Sequence, residues 1–243
     1  MKITKFTADI GAVTSKDLRF CIISDLHAKI PATLLGIVES LSPDAVLMPG
    51  DIFDTRGRRE DVMAFLRRLA LGLKIPIFMS LGNHDRHIDE TYKSELESIG
   101  IKLLDDSSVL FCGINICGLT SGFFTEYRSD IEKTPPPRLE ALHRFDELPA
   151  PRILLCHHPE YYPDYIKATG IELTVAGHAH GGQWEFFGRG IFAPGQGLFP
   201  KYTAGQYDGG RLIVSRGAAN TVKIPRFFNP TEILLINIPC HSA

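Results

Sequence analysis

The sequence predicts an α/β protein in which helices flank a parallel or mixed β-sheet. Short apolar runs alternate with amphipathic segments over the first hundred residues, in the order strand, helix, strand, helix, strand, helix. Further apolar runs and turn-forming residues follow, and they predict more strands around the same core. A chain of 243 residues, 44% of them hydrophobic, is long enough to bury a full core. We therefore expect a single domain over residues 1–243.

Local patterns support each element. The apolar residues of Glu60–Leu71 recur at helical spacing, and Gly100 ends the helix predicted at Ile88–Ile99. Gly113 marks the turn of a hairpin over Val109–Leu119, while residues 177–210 are rich in glycine and aromatic residues and predict a long functional loop. The remaining predicted elements are the strands Phe20–Ile23, Ala45–Met48, Ile75–Met79, Arg152–Cys156, Leu173–Ala176, Arg211–Ser215 and Glu232–Ile238, and the helices Leu34–Leu41 and Arg138–Leu148.

Composition excludes several classes of protein. The net charge of −2 lacks the basic excess of a simple nucleic-acid binder. No apolar run reaches the roughly 18 residues of a membrane helix, and the N-terminus has no apolar signal segment, so we expect a cytoplasmic protein without a transmembrane segment. The five cysteines form no CxxC pair, which favours reduced thiols; a Cys112–Cys117 bridge or a cysteine metal site is the alternative.

Immediately after five of the predicted strands stand residues of the types that bind metal ions. In open α/β sheets such positions lie at the edge where the carboxyl ends of the strands meet, so we expect the five loops to converge. Two histidines between flexible glycines, as in the last loop, are typical of a metal site. The five segments are Ser24-Asp25-Leu26-His27, Pro49-Gly50-Asp51-Ile52-Phe53-Asp54, Gly82-Asn83-His84-Asp85, His157-His158-Pro159 and Gly177-His178-Ala179-His180-Gly181-Gly182.

The donor set of these loops predicts two metal ions. Two carboxylates, one amide and four imidazoles exceed the ligands of one tetrahedral zinc. Asp25 and His27 stand two residues apart in an expected extended segment, so they point the same way and chelate one ion, while Asp51 bridges both. Two divalent ions, two carboxylates and a bridging hydroxide leave the centre net positive, which suits an anionic phosphate ester attacked by a metal-bound hydroxide.

The motifs together resemble the signature of the calcineurin-like metallophosphoesterases. They are Asp25-x-His27, Gly50-Asp51-x-x-Asp54, Gly82-Asn83-His84-Asp85, His157 and Gly177-His178-x-His180, in that order. The stretches GHAHGGQW, APGQGLFPKYTAGQY and LIVSRGAANT are similar to the YkuE/YaeI-like bacterial phosphodiesterase branch and extend the resemblance to Thr221. This resemblance implies a four-layer αββα sandwich of two mixed β-sheets flanked by helices, with a dimetal site at the C-terminal ends of the strands.

The resemblance also implies a role for each site residue. One ion is held by Asp25, His27 and His180, and the other by Asn83, His157 and His178, with Asp51 as the bridge. His84 protonates the leaving oxygen, Asp85 orients His84, and Asp54 lies behind the ligands. The family's fifth motif is His followed by Asn; here His158 takes the second place, and whether it touches substrate is left open.

Residues outside the motifs allow two interpretations. Arg56 contacts the phosphate or is a solvated surface residue, and the 183–207 loop, with Gln183, Lys201, Tyr202 and Tyr207, shapes a substrate pocket or packs internally. We expect the side chains of the aromatic pairs to lie in the core by default, and some of them to line an apolar groove if the substrate is lipidic. These pairs are Phe123-Phe124, Phe186-Phe187 and Phe227-Phe228.

We therefore expect a phosphodiesterase that hydrolyses phosphodiester or pyrophosphate bonds of a small, nucleotide-sugar or lipid-linked substrate. Manganese is favoured as the metal, although iron and zinc suit the same ligands. One alternative is a UDP-2,3-diacylglucosamine-type pyrophosphohydrolase, which exposed apolar surface beside the metal site would favour. A non-catalytic scaffold on the same fold is the alternative from another class, but here every motif position is filled. Nucleic acid is not an expected partner.

Overall fold

Two six-stranded mixed β-sheets form the centre of the computed structural model, which describes residues 1–55, 57–126, 133–186, 189–194, 196–220 and 225–241. The first sheet has the strand order β1-β16-β2-β3-β4-β5 and the second β14-β15-β9-β8-β7-β6. In the first sheet lie β1 (Lys2–Thr7), β2 (Leu18–Ile22), β3 (Ala45–Pro49), β4 (Ile77–Ser80), β5 (Ile101–Leu103) and β16 (Glu232–Ile238). In the second lie β6 (Ser107–Phe111), β7 (Ile114–Leu119), β8 (Arg152–Cys156), β9 (Leu173–Ala176), β14 (Gly205–Tyr207) and β15 (Leu212–Val214).

Alternation along the strands gives each sheet two apolar faces. Side chains point to opposite faces at successive positions, so Phe20 and Ile22 face the second sheet whereas Cys21 packs against the helices. The sheets meet in one core cluster that joins Leu47 to Ile116 and Leu155, among other residues.

Helices cover the outer face of each sheet. The first sheet packs against α1 (Leu34–Leu41), α2 (Arg59–Leu73) and α3 (Glu90–Ser98), and the second against α4 (Leu139–Asp146) and a π-helical turn at Tyr162–Ile166. The predicted α/β class, with two mixed sheets flanked by helices, is therefore confirmed. No helix within the described ranges has both the length and the apolar character needed to cross a membrane.

Several predicted elements differ at their ends. The helix predicted at Ile88–Ile99 is shorter, because a 3-10 turn occupies Asn83–His87 and Asp89 caps α3 by accepting a hydrogen bond from the Tyr92 amide (3.1 Å). The strand β1 was not predicted, since four of its six residues are polar; it pairs in parallel with β16 at the sheet edge. Two short ribbons occupy part of the predicted long loop: β10 (Glu185–Phe186) with β11 (Arg189–Gly190), and β12 (Phe192–Ala193) with β13 (Gly197–Leu198). All five cysteines are free.

Candidate metal centre

The five motif loops converge at one edge of the two facing sheets. They follow β2, β3 and β4, which are mutually parallel neighbours, and β8 and β9, which are parallel neighbours in the other sheet. Ligand atoms there lie within 4.8 Å of one another in four overlapping groups. These groups are Asp25 with His27 and His180, His27 with Asp51 and His84, Asp51 with His157 and His178, and His158 with Glu160 and His178.

Four potential ligand atoms are buried without a hydrogen-bond partner. They are Oδ2 of Asp25 and Nε2 of His27, His157 and His178. An unsatisfied buried polar atom costs about 1–3 kcal/mol, so four of them in one place require an explanation. Divalent cations supply one, because carboxylate oxygens and neutral imidazole nitrogens are their usual ligands. The residues present therefore fit a metal centre.

Asp51 stands between the two halves of this centre. Its Oδ2 lies 3.0 Å from Nε2 of His157 and 3.3 Å from Nε2 of His27, yet neither nitrogen makes a hydrogen bond. Its Oδ1 accepts a hydrogen bond from the backbone amide of His84 (2.9 Å). One carboxylate oxygen beside two unbonded imidazole nitrogens is the arrangement expected of a bridging ligand.

Hydrogen bonds on the far side of two imidazoles fix which nitrogen faces the centre. Nδ1 of His157 lies 2.8 Å from the carbonyl oxygen of Pro49, and Nδ1 of His27 lies 2.9 Å from Oδ2 of Asp54. Both partners only accept, so each Nδ1 carries a proton and Nε2 is the nitrogen that faces the centre, where it can bind a cation in place of a second proton. Metal-binding histidines typically have such partners, which orient the ring and raise its basicity.

Five of the predicted ligands have left-handed backbone conformations. Their φ angles are 55° at Asp25, 46° at His27, 54° at Asp51, 66° at His178 and 48° at His180. Non-glycine residues rarely adopt this region, and clusters of such residues mark functional sites. The expectation that Asp25 and His27 share a direction because the segment is extended is wrong, since tight left-handed turns bring them together instead.

Two motif glycines permit the close approach of these loops. Gly50 has φ +90°, and a Cβ there would lie 2.6 Å from the backbone nitrogen of Gly82. At Gly177 a Cβ would lie 2.5 Å from Oδ2 of Asp25. Any larger residue at either position would separate the loops that carry the ligands.

Burial and neighbouring charge set the ionisation of the site. Burial raises the pKa of Asp51, but the facing imidazoles of His157 and His84 outweigh it and hold that pKa well below its usual range. Burial lowers the pKa of His178 well below normal and that of His180 to about 3, so both are neutral at pH 7 and able to donate a lone pair. For His157, burial lowers the pKa, but the negative charge of Asp51 outweighs burial and the pKa is raised to about 10. The buried carboxylates therefore attract positive charge to this edge of the sheets.

His84 is the most accessible histidine of the group. Its side chain is 20% exposed, and its Nδ1 lies 3.3 Å from Oδ2 of Asp54. Asp85, expected to orient His84, instead accepts hydrogen bonds from the backbone amides of Asp51, Phe53 and Gly82 at 2.7–2.9 Å. Burial and the Asp51 charge raise the pKa of Asp85 to about 7. The carboxylate beside His84 is thus Asp54, whereas Asp85 ties together the loops after β3 and β4. The side chain of Asn83 is buried at the start of this 3-10 turn.

His158 lies behind the centre rather than in it. Its Nε2 is 2.7 Å from Oγ of Ser121, and its Nδ1 is 3.2 Å from Oε1 of Glu160, so both ring nitrogens are engaged. The same Glu160 oxygen lies 3.7 Å from Nε2 of His178. His158 is thus held between Ser121 and Glu160, beside the loop that carries His178. Glu160 was missed because it follows no strand and belongs to no recognisable motif.

Arg226 is a second residue that the sequence did not reveal. Its Nη2 donates to Nδ1 of His180 at 3.1 Å, and its other hydrogen bonds go to the carbonyl oxygens of Arg216 and Ala219. Burial lowers the pKa of this guanidinium to about 10, so it remains charged at neutral pH. Because it only donates, Nδ1 of His180 must accept, and the imidazole proton lies on Nε2. Ligation through Nε2 therefore requires the other neutral tautomer, with the proton on Nδ1 and without the Arg226 hydrogen bond.

The outer loop is partly a packed structure. Tyr202 is buried, and the hydroxyl of Tyr207 accepts hydrogen bonds from the amides of Thr203 and Ala204 (3.1 and 3.3 Å). Gln183 has a left-handed backbone (φ 57°), and exposed Lys201 lines a cavity of about 450 Å³. Of the aromatic pairs, Phe123 is in the core as expected, but Phe186, Phe227 and Phe228 are exposed. Arg56 and Phe187 lie outside the described residues.

Known proteins share this sequence pattern. The family model described as calcineurin-like phosphoesterase matches residues 18–182. An uncharacterized metallophosphoesterase of Helicobacter pylori strain J99 is 30% identical over 237 residues, which is 92% of this chain and 60% of that protein. The uncharacterized metallophosphoesterase YkuE of Bacillus subtilis is 29% identical (85% of this chain, 71% of that protein). Phosphodiesterase YaeI of Escherichia coli is 27% identical (68% and 61%). The chain spans about three fifths of the length of the Helicobacter relative.

Solved structures show the same fold at low sequence identity. A 5'-nucleotidase precursor from Thermus thermophilus has a TM-score of 0.53 at 18% identity, over 91% of this chain and 55% of that one. TT1561 from the same organism has a TM-score of 0.50 at 16% identity, over 66% and 81%. The resemblance stated from the motifs is confirmed: this chain belongs to the calcineurin-like phosphoesterase family, whose members YkuE and YaeI are among its relatives.

Proposed function

We propose that this protein is a metal-dependent hydrolase of phosphodiester bonds. The observation that carries the proposal is the set of four buried, unbonded ligand atoms around Asp51. In this assignment Asp25, His27 and His180 hold one divalent ion, Asn83, His157 and His178 hold a second, and Asp51 contacts both. When bound, two divalent ions supply a nucleophilic water of lowered pKa and positive charge against the phosphate oxygens. Manganese, iron and zinc all suit this donor set, and we favour manganese.

His84 is the candidate proton donor. It is the accessible imidazole of the group, and Asp54 lies on the far side of its ring, at Nδ1. A carboxylate there stabilises the protonated imidazole and leaves Nε2–H for a leaving oxygen. Asp54 thus contacts both a proposed metal ligand, His27, and the proposed acid, His84.

The phosphodiester preference rests on charge. Two divalent ions against the carboxylates of Asp25 and Asp51 and one hydroxide would leave a single positive charge, which matches the single charge of a diester better than the double charge of a monoester. The relative YaeI is named a phosphodiesterase, which supports the same choice. We expect bis(aryl) phosphodiesters to be hydrolysed with a higher kcat/KM than aryl monophosphates.

The deciding experiment combines metal analysis with one bridging-ligand variant. We expect about two divalent ions per chain in the purified protein and at least about a hundredfold lower rate in Asp51→Asn, with loss of both ions. Asp61→Asn, an exposed carboxylate on α2, is the matched control and should change neither. Full activity in Asp51→Asn or in chelator-treated protein would refute the metal-dependent proposal. A monoester preference of tenfold or more would refute only the diester assignment.

A second candidate substrate is a lipid-linked nucleotide sugar, cleaved at its pyrophosphate. The observation that favours it is the exposed aromatic side chains close to the metal centre, at Phe227, Phe228 and Trp184. A substrate panel with matched head groups, with and without acyl chains, tests this candidate. Acyl-independent turnover would count against it.

A further inference from the structure

One surface of the molecule is apolar and lies beside the metal centre. Every exposed phenylalanine and tryptophan of the described residues belongs to it. We call it the aromatic surface; its members, with their exposed fractions, are Trp184 (43%), Phe186 (43%), Phe192 (39%), Leu198 (70%), Phe199 (74%), Phe227 (51%) and Phe228 (73%). Clustered exposure of this kind, unlike scattered single residues, marks an interaction site.

Direct contacts make the aromatic surface continuous. The ring of Phe186 lies 5.9 Å from that of Phe227 and 6.2 Å from that of Phe228. Trp184 pairs with Phe227 through a β-bridge and shares an apolar groove of about 230 Å³ with Phe192. Phe192 in turn pairs across its ribbon with Leu198, the residue before Phe199.

The aromatic surface also adjoins the metal centre. Arg226, which donates to His180, directly precedes Phe227 and Phe228. Asn229, on the other side of the pair, donates to the carbonyl oxygens of His180 (2.7 Å) and Gln183 (3.2 Å). The backbone that carries Phe227 and Phe228 is therefore tied to His180 on both sides of the pair.

Backbone conformation holds two of the rings outward. Phe199 and Phe228 have φ angles of 52° and 53°, in the left-handed region that bulky residues avoid. Both are about three quarters exposed, so burial in the monomer does not compensate for the strain. A strained backbone that presents an apolar ring to solvent points to a binding role.

Charge at the rim identifies the partner. Exposed Arg189 and Lys201 line one cavity together with Phe199. Between Trp184 and Lys201 the sequence has a single carboxylate, Glu185, and Arg216 neutralises it at 2.9 Å. Aromatic and aliphatic side chains bordered by cations are the combination that binds at the interface of anionic membranes, where rings lie at headgroup depth and cations contact lipid phosphates.

We propose that the aromatic surface docks this protein onto membranes that contain anionic phospholipids. The rings of Phe199 and Phe228 insert among the headgroups, and Arg189 and Lys201 contact lipid phosphates. This inference does not depend on the chemistry of the metal centre, because it concerns a different set of side chains.

The protein carries its own probe for the test. Trp184 is the only tryptophan in the sequence and belongs to the aromatic surface. We expect its emission to shift to shorter wavelength, and the protein to co-sediment, with vesicles of phosphatidylcholine mixed with phosphatidylglycerol. The protein should bind more weakly to vesicles of phosphatidylcholine alone. The double variant Arg189→Gln/Lys201→Gln should bind equally to the two kinds of vesicle.

Matched variants separate insertion from general stickiness. The double variant Phe199→Asn/Phe228→Asn removes two rings. Asparagine tolerates the left-handed backbone at both positions, so the melting temperature should not fall. Vesicle affinity should drop by about tenfold or more. Leu71→Asn, at an equally exposed residue (74%) on α2, is the control and should bind like the wild type.

Each contrary result would overturn the proposal in a recognisable way. Absence of a Trp184 shift with anionic vesicles would exclude docking through this surface. The same shift on raising protein concentration without lipid would assign the surface to a second copy of the chain. The same shift with a short-chain phospholipid, dispersed below its micelle concentration, would assign it to substrate acyl chains. Since the readout is binding, none of these results depends on whether the protein hydrolyses phosphodiesters.

Discussion

Replacing Asp54 by asparagine should weaken metal binding and proton donation together. Its Oδ2 lies 2.9 Å from Nδ1 of His27 and 3.3 Å from Nδ1 of His84, at a side chain that is only 1% exposed. A hydrogen bond to a charged group is worth about 1.5–3 kcal/mol, which corresponds to roughly 10–100-fold in affinity. The shorter contact, to His27, should be affected more. We therefore expect metal affinity at the Asp25–His27 side to fall by about 10–100-fold.

The assay measures metal and leaving-group dependence in the same preparations. Protein dialysed against graded free manganese is analysed for bound metal, and then for turnover of a nitrophenyl diester and an alkyl diester. In Asp54→Asn the metal curve should move to higher concentration, and at saturating metal the alkyl diester should still react more slowly than in the wild type. Asp61→Asn is the isosteric control on an exposed helix. Unchanged metal affinity in Asp54→Asn would refute the reasoning that this carboxylate orients His27.

Three further predictions follow from other residues. His84→Ala should lose about 10²–10⁴-fold on a poor leaving group and much less on nitrophenolate, with metal content retained; equal losses together with a lost ion would show that His84 is a ligand. Gly50→Ala should reduce bound metal and the melting temperature, because its Cβ would meet the Gly82 backbone at 2.6 Å; normal metal content would contradict this. Glu172→Gln should lower the free energy of unfolding more at pH 7 than at acidic pH. Burial raises the Glu172 pKa, but the Arg152 hydrogen bonds outweigh burial and hold the pKa below its usual value, so this stabilisation is present above the unfolded pKa and is lost as the pH falls through the folded pKa. Chemical denaturation at pH 7 and at successively lower pH measures it, and a loss that does not shrink as the pH falls would contradict it.

Much of the fold was predictable because its strands are short and fully buried. The runs Arg152–Cys156, Leu173–Ala176 and Glu232–Ile238 are bounded by polar or turn residues, and the structure has strands with those bounds. Their burial makes the apolar signal strong. The edge strand β1 lacked that signal, because of its residues only Phe6 packs against the core and its exposed positions mix lysine and threonine with Ile3.

The candidate ligands were predictable for a different reason. Each follows a strand directly, so local sequence placed it at the carboxyl edge of a sheet. Residues that act from behind the ligands were harder to find, since Glu160 and Arg226 reach His178 and His180 only through the tertiary fold. The Asp85 role failed for the same reason: proximity to His84 in sequence suggested a contact that the 3-10 turn directs to backbone amides instead.

The destabilisation caused by this centre argues against a non-catalytic scaffold that has kept the fold but lost the function of the metal centre. Five residues in left-handed conformations and four buried unbonded polar atoms each destabilise the metal-free protein, by about 1–3 kcal/mol for a strained or unsatisfied group. Asparagine or glycine at the turns and apolar side chains in place of the histidines would remove most of that cost without disturbing the two sheets. A surface elsewhere on the molecule would serve a scaffold equally well. Cations in the centre would offset both the strain and the unsatisfied atoms, because their binding energy stabilises the folded protein. The unpaired ligand atoms are therefore an argument for cation binding that is independent of the motifs.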